Sequence, residues 1–153
     1  MENEVGGVKK KLTKNNITGI TLVLIAIDQI VKIMAPDFNF IIINNILSFR
    51  FVENHGISFG LLSNSKILII IISFILIGVI ISILIKEESN VGKFGATMLL
   101  AGAIGNLIDR IFLGYVVDYI DIELFIFNIA DIYIFVGALI ILYVYFVKEK
   151  YEN

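Results

Sequence analysis

No cysteine occurs anywhere in the chain, and that absence removes disulfides, thiolate nucleophiles and thiolate-held zinc or iron–sulfur centres together. Histidine is nearly missing too. His55 is the only one, so a multi-histidine metal site is excluded and no cofactor is expected. There is one proline, Pro36, and charged residues make up only 17% of the sequence. The net charge of −2 gives no basic field for nucleic acid. What fills the chain instead is apolar: 58% of its 153 residues are hydrophobic, a composition whose natural solvent is lipid.

The apolar residues fall into four runs near the roughly 20 residues a helix needs to cross a bilayer. They lie at about 17–35, 66–85, 94–112 and 128–147. The first follows the lysine-rich head "KKKLTKNN" and ends without the small-x-small pair of a cleavage site, so it is a retained anchor. The third contains "GATMLLAGAIGN", whose small residues let neighbouring helices approach closely. A short polar loop, "KEESNVGK", joins the second and third runs.

The other two connections, 36–65 and 113–127, are longer and mixed. In "LSFRFVEN" the residues Leu47, Phe49 and Phe51 alternate with Ser48 and Arg50, the period of a half-buried strand at the membrane surface. "YIDIELFIF" offers a second strand-like piece. The expected fold is therefore an all-α membrane protein, a single polytopic domain over 1–153 with four transmembrane helices and a small extracytoplasmic β-sheet. Head, middle loop and tail carry Lys9, Lys10, Lys11, Lys14, Lys86, Lys93, Lys148 and Lys150. The positive-inside rule puts that side, with both termini, in the cytoplasm.

This topology gathers the polar residues near the outer interface. Asp28 and Lys32 are one turn apart in the first run, and Asn106, Asp109 and Arg110 share a face of the third. Asn54 and Asp118 lie in the two outer connections, while Asn128 and Asp131 open the fourth run. Charged groups in the hydrocarbon cost on the order of 2.5–3.5 kcal/mol each on insertion scales unless they face a protein-lined cavity. Convergence at one depth describes such a cavity. His55 with Ser58 lacks an orienting acid. A carboxylate pair can hold one proton and activate water without metal or covalent intermediate. Asp118 and Asp131 are the pair with no adjacent base; Asp28 has Lys32 and Asp109 has Arg110 as expected partners. Asn128 is placed to cap the fourth helix. A proton or ion translocator would need a polar path, and the second run is uncharged after Lys66. A scaffold subunit would need a polar stripe facing a partner.

"DQIVK" (28–32), "ENHGISFG" (53–60), "GNLIDR" (105–110), "VVDYID" (116–121) and "FNIAD" (127–131) resemble, in order, the successive blocks of bacterial lipoprotein signal peptidase, signal peptidase II. The resemblance covers all but the tails. It implies an intramembrane aspartyl endopeptidase of the bacterial cytoplasmic membrane, which cuts prolipoproteins just before a diacylglyceryl-modified cysteine. It implies Asp118 and Asp131 as the catalytic pair and Asn54, Asn106, Arg110 and Asn128 as lining the substrate pocket. Asp28 and Lys32 match positions that support the site and count with its substrate-binding residues. The expected partners are lipid-modified prolipoproteins and membrane lipids, with the chain a monomer.

Overall fold

A computed structural model describes residues 11–56 and 65–152, with side chains to 147. Four helices carry the apolar runs: α1 (Lys14–Met34), α2 (Lys66–Lys86), α3 (Asn90–Phe112) and α4 (Ile129–Glu152). All four are long and apolar enough to cross a membrane. Strands β1 (Asn39–Ile43), β2 (Leu47–Asn54), β3 (Val116–Asp121) and β4 (Ile126–Phe127) form one antiparallel sheet in the order β1-β2-β3-β4. The chain is thus a multi-pass helical membrane protein with a small sheet.

Caps explain where the helices begin. Thr13 and Asn16 form a reciprocal capping box before α1, and the Ser89 hydroxyl accepts from Gly92 N at 2.9 Å before α3. These caps satisfy backbone donors of each first turn that have no partner within the helix. The second also corrects one expectation. Most of "SNVGK" is the first turn of α3, not loop, because Ser89 can start the helix before its apolar run begins. The fourth apolar stretch, Ile129–Val147, agrees with the expected span at about 128–147, and α4 continues past it to Glu152, since a helix need not stop where its membrane-spanning stretch does.

Within the bundle α3 is the centre, packing against α1, α2 and α4. Its small residues are the reason. A Cβ at Gly95 would meet Ile140 and the Gly137 carbonyl, and one at Gly102 would run into the Ala130 carbonyl and Ile134. Backbones at this separation gain dispersion contacts that lipid cannot offer. By contrast α2 is apolar all round and presents most of its surface outward, with Ile67, Ile71, Phe74, Ile75, Val79 and Ile85 exposed. That exposure is ordinary for a helix whose solvent is lipid.

Ala35 and the single proline form a short 3₁₀ turn, Ala35–Asp37, that takes the chain from α1 into the sheet. Beneath the sheet Ala35, Val117 and Tyr119 make a buried cluster, joined by Val31, Phe38, Phe49 and Phe51. The alternation over 47–51 is indeed a strand, with Phe49 stacked on Phe40 at 5.0 Å. β1 is an element the sequence reading left as loop. Its burial does not alternate, all five residues being exposed, so no period-two signal could mark it. Register then positions the site: β2 and β3 pair Val52 with Asp118 and Asn54 with Val116.

Candidate active site

Asp118 and Asp131 arrive from different elements, the first from β3 and the second from the opening turn of α4. Asn128 joins them. Its Nδ2 donates to Asp118 Oδ1 at 2.6 Å, while its Oδ1 accepts from Asp131 N at 3.0 Å. Asp131 Oδ2 reciprocates by accepting from Asn128 N at 3.2 Å, which completes a capping box at the start of α4. The expected cap is therefore present, and it doubles as the link between the two carboxylates.

The remaining oxygens are met by the other asparagines. Asn54 Nδ2 donates to Asp118 Oδ2 at 2.8 Å, and Asn106 Nδ2 donates to Asp131 Oδ1 at 2.8 Å. Each of the four carboxyl oxygens thus has one donor and keeps acceptor capacity for a water or substrate. Neither aspartate forms a salt bridge among the described residues. Asp118 is only 2% exposed. Burial pushes its carboxyl up to about 6, with the charge of Asp131 adding to the rise, while the hydrogen bonds from Asn54 and Asn128 and the charge of Lys32 oppose it. Asn54 also closes a local turn, its Oδ1 accepting from Gly56 N at 3.1 Å, so it is a turn residue and a site residue at once.

Behind the asparagines sits an ionic layer. Lys32 Nζ lies 2.9 Å from Asp28 Oδ2, 2.9 Å from Asp109 Oδ2 and 3.0 Å from Asn106 Oδ1, which uses all three ammonium donors. Two expectations change here. Asp109 pairs with Lys32, not with its neighbour Arg110, because consecutive helical residues point in different directions. Asp28 and Lys32 are 0% and 4% exposed, so they do not line a surface for substrate; they hold Asn106 from behind. Arg110 turns the other way, its guanidinium 3.5 Å from the Gly56 and Asn106 carbonyls and within electrostatic reach of Asp131 and Asp118.

Sequence reasoning missed Gln29. Its Nε2 lies 3.1 Å from Asp28 Oδ2, 3.1 Å from Asp109 Oδ1 and 3.3 Å from the Gly105 carbonyl. Only its place inside "DQIVK" could have hinted at it. Gly105 allows this approach, since a Cβ there would stand 2.5 Å from Asp28 Oδ2. Asp109 Oδ2 also accepts from Val117 N at 3.1 Å, tying the ionic layer to the strand residue before Asp118. His55 contacts Glu53 at 3.2 Å and the Tyr115 ring at 5.3 Å, and Ser58 lies outside the described residues, as do Lys9 and Lys10. No group of three or more metal-binding side chains occurs among the described residues.

The chain that carries this helical membrane bundle and its small sheet matches known proteins. A family model described as "Signal peptidase (SPase) II" matches residues 20–147. The chain belongs to the signal peptidase II family. Two lipoprotein signal peptidases, from Caldanaerobacter subterraneus subsp. tengcongensis and Clostridioides difficile, are each 38% identical to it, over 84% and 86% of this chain and 94% and 95% of theirs. A solved bacterial membrane enzyme superposes with a TM-score of 0.84 at 28% identity, covering 94% of this chain and 95% of that one. A second such structure gives 0.77 at the same identity, with 88% and 95% covered. This signal peptidase II is a membrane-embedded peptidase, and the sequence resemblance stands.

Proposed function

We propose that Asp118 and Asp131 are the catalytic pair with which this signal peptidase removes signal peptides from prolipoproteins, cutting just before the diacylglyceryl-modified cysteine. The observation that carries the reading is the Asn128 bridge, which links the buried Asp118 to the half-buried Asp131, each carboxyl oxygen having one donor. Asp118, with its raised affinity for a proton, holds the acid. Asp131, at the positive end of α4, acts as base. Water is positioned between them; Asp131 takes its proton as the oxygen attacks the scissile carbonyl, and Asp118 protonates the carbonyl oxygen. Collapse of the tetrahedral intermediate delivers a proton to the leaving nitrogen and returns the pair to its starting charge.

Asn54 and Arg110 supply hydrogen bonds to the substrate backbone, and Asn106 and Asn128 keep the acids in register. Asp28 and Lys32 serve by fixing Asn106. The sheet and site face outward and both termini are cytoplasmic, which the lysine distribution supports. The substrate's signal helix lies among the spans with its lipid tails in the bilayer, and one chain suffices. The test is cleavage of a diacylglyceryl-modified prolipoprotein peptide by wild type, Asp118→Asn and Asp131→Asn in lipid. Loss of turnover in both folded variants is expected. Persistent cleavage in either one moves the chemistry to another acid, and Asp109 would be the next to substitute.

A further inference from the structure

Asp118 and Asp131 belong to separate elements, so the distance between them depends on how β3 is fastened to the start of α4. Two fastenings are already described: the Asn128 bridge, and the β3–β4 ladder that pairs Ile120 with Phe127 and Asp121 with Ile126. The ladder ends two residues before α4, and the Asn128 bridge relies on the aspartates themselves. A third fastening is independent of both. The Tyr119 hydroxyl accepts a hydrogen bond from Ile129 N at 3.2 Å. Ile129 is the first residue of α4, whose amide has no partner within its own helix.

Tyr119 is well suited to such a role. It follows Asp118 directly, and alternation along a strand turns its side chain away from the carboxyl. The ring is 2% exposed and clustered with Ala35 and Val117, and Phe38 meets it edge-on at 5.6 Å. A packed aromatic ring has few positions open to it, so its oxygen is a fixed point for the α4 backbone. We infer that Tyr119 is a positioning residue for the reaction: its phenol anchors the first amide of α4 to β3 and thereby sets where Asp131 stands relative to Asp118. It touches neither substrate nor the reacting atoms. This inference rests on the proposed pair being catalytic.

The experiment is Tyr119→Phe, which keeps the packed ring and deletes only the acceptor oxygen. It is read beside wild type, Asp118→Asn and Asp131→Asn, with Val117→Ala as a packing control from the same cluster. Turnover of the diacylglyceryl-modified prolipoprotein peptide and thermal unfolding are both followed in lipid. The expected result for Tyr119→Phe is a kcat about tenfold lower, the size of losing roughly one hydrogen bond's worth of alignment, with KM within twofold of wild type. Val117→Ala should lower the unfolding temperature more than Tyr119→Phe and kcat less. An unchanged kcat in Tyr119→Phe, with both aspartate variants inactive, overturns the anchor and leaves the pair standing. A rate that falls only in proportion to unfolding, as in the packing control, overturns it as well. Activity in either aspartate variant fails the underlying reading and the anchor with it.

Discussion

Removing the Asn54 side chain should move the pH profile of this peptidase in a defined direction. Asn54 Nδ2 donates to Asp118 Oδ2 at 2.8 Å and favours the ionised carboxylate. Burial has already raised that carboxyl to about 6, so the group sits where small changes in its surroundings alter its charge in neutral solution. A hydrogen bond to a charged acceptor contributes about 1.5–3 kcal/mol. Asn54 is only half-buried, so water recovers part of this, leaving a net loss near 1.4 kcal/mol, or about one pH unit. In Asn54→Ala the proton on Asp118 is therefore held more tightly. If the pair works with one proton, kcat/KM falls on the alkaline side as that proton is lost, with a midpoint near the value for the free enzyme. The midpoint should rise from about 6 to roughly 7 in the variant. The assay is kcat/KM for the lipid-modified peptide across the acid and neutral range, with the apparent values ascribed to the pair. A midpoint that stays put or moves down while the rate drops would refute the reasoning, since Asn54 would then act on substrate alone.

Four further outcomes follow from the geometry. Gly105→Ala puts a Cβ against Asp28 Oδ2 and should cost about 1–3 kcal/mol through overpacking, whereas Gly19→Ala, with nothing within 4 Å, should be neutral or stabilising by up to about 1 kcal/mol; thermal unfolding of the two variants in one detergent decides it. Lys32→Met strands the buried Asp28 and Asp109 and should destabilise by roughly 3–5 kcal/mol, a loss that adding Asp28→Asn and Asp109→Asn should partly reverse. Between 3.8 and about 6 the folded chain keeps a proton on Asp118 that the unfolded chain releases, so this group's contribution to stability rises as pH falls through 6 and levels off below 3.8. Equilibrium unfolding against pH should show that slope in wild type and lose it in Asp118→Asn. Finally, the β1 residues Phe40, Ile41, Ile42 and Ile43 are apolar and exposed shortly after α1 ends, so a fluorophore at Ile42→Cys should be quenched by brominated lipids; quenching by an aqueous quencher alone would put the strand in water.

Residue order determined a good deal here because lipid imposes simple conditions on a chain. A span must satisfy its own backbone and be apolar for about 20 residues, and both conditions are local, so "KILIIIISFILIGVIISILI" needs no partner to be identified. The expense of charged and polar groups in lipid made each of Asp28, Lys32, Asn106 and Asp131 conspicuous, and the capping pattern of "NIAD" is equally local. Tertiary structure decided what lies across elements. Which cation serves Asp109 depends on how α1 lies against α3, and the close approach at Gly105 lets Lys32 reach it ahead of Arg110. Whether Asp28 and Lys32 face substrate or support Asn106 is a matter of burial, invisible to a helical period of four. β1 escaped notice because an exposed edge strand has no buried face to impose alternation. The contact of Tyr119 with Ile129 joins two residues ten apart through a turn between β3 and β4, with Glu123 at φ 66°, whose geometry exists only once the sheet has folded.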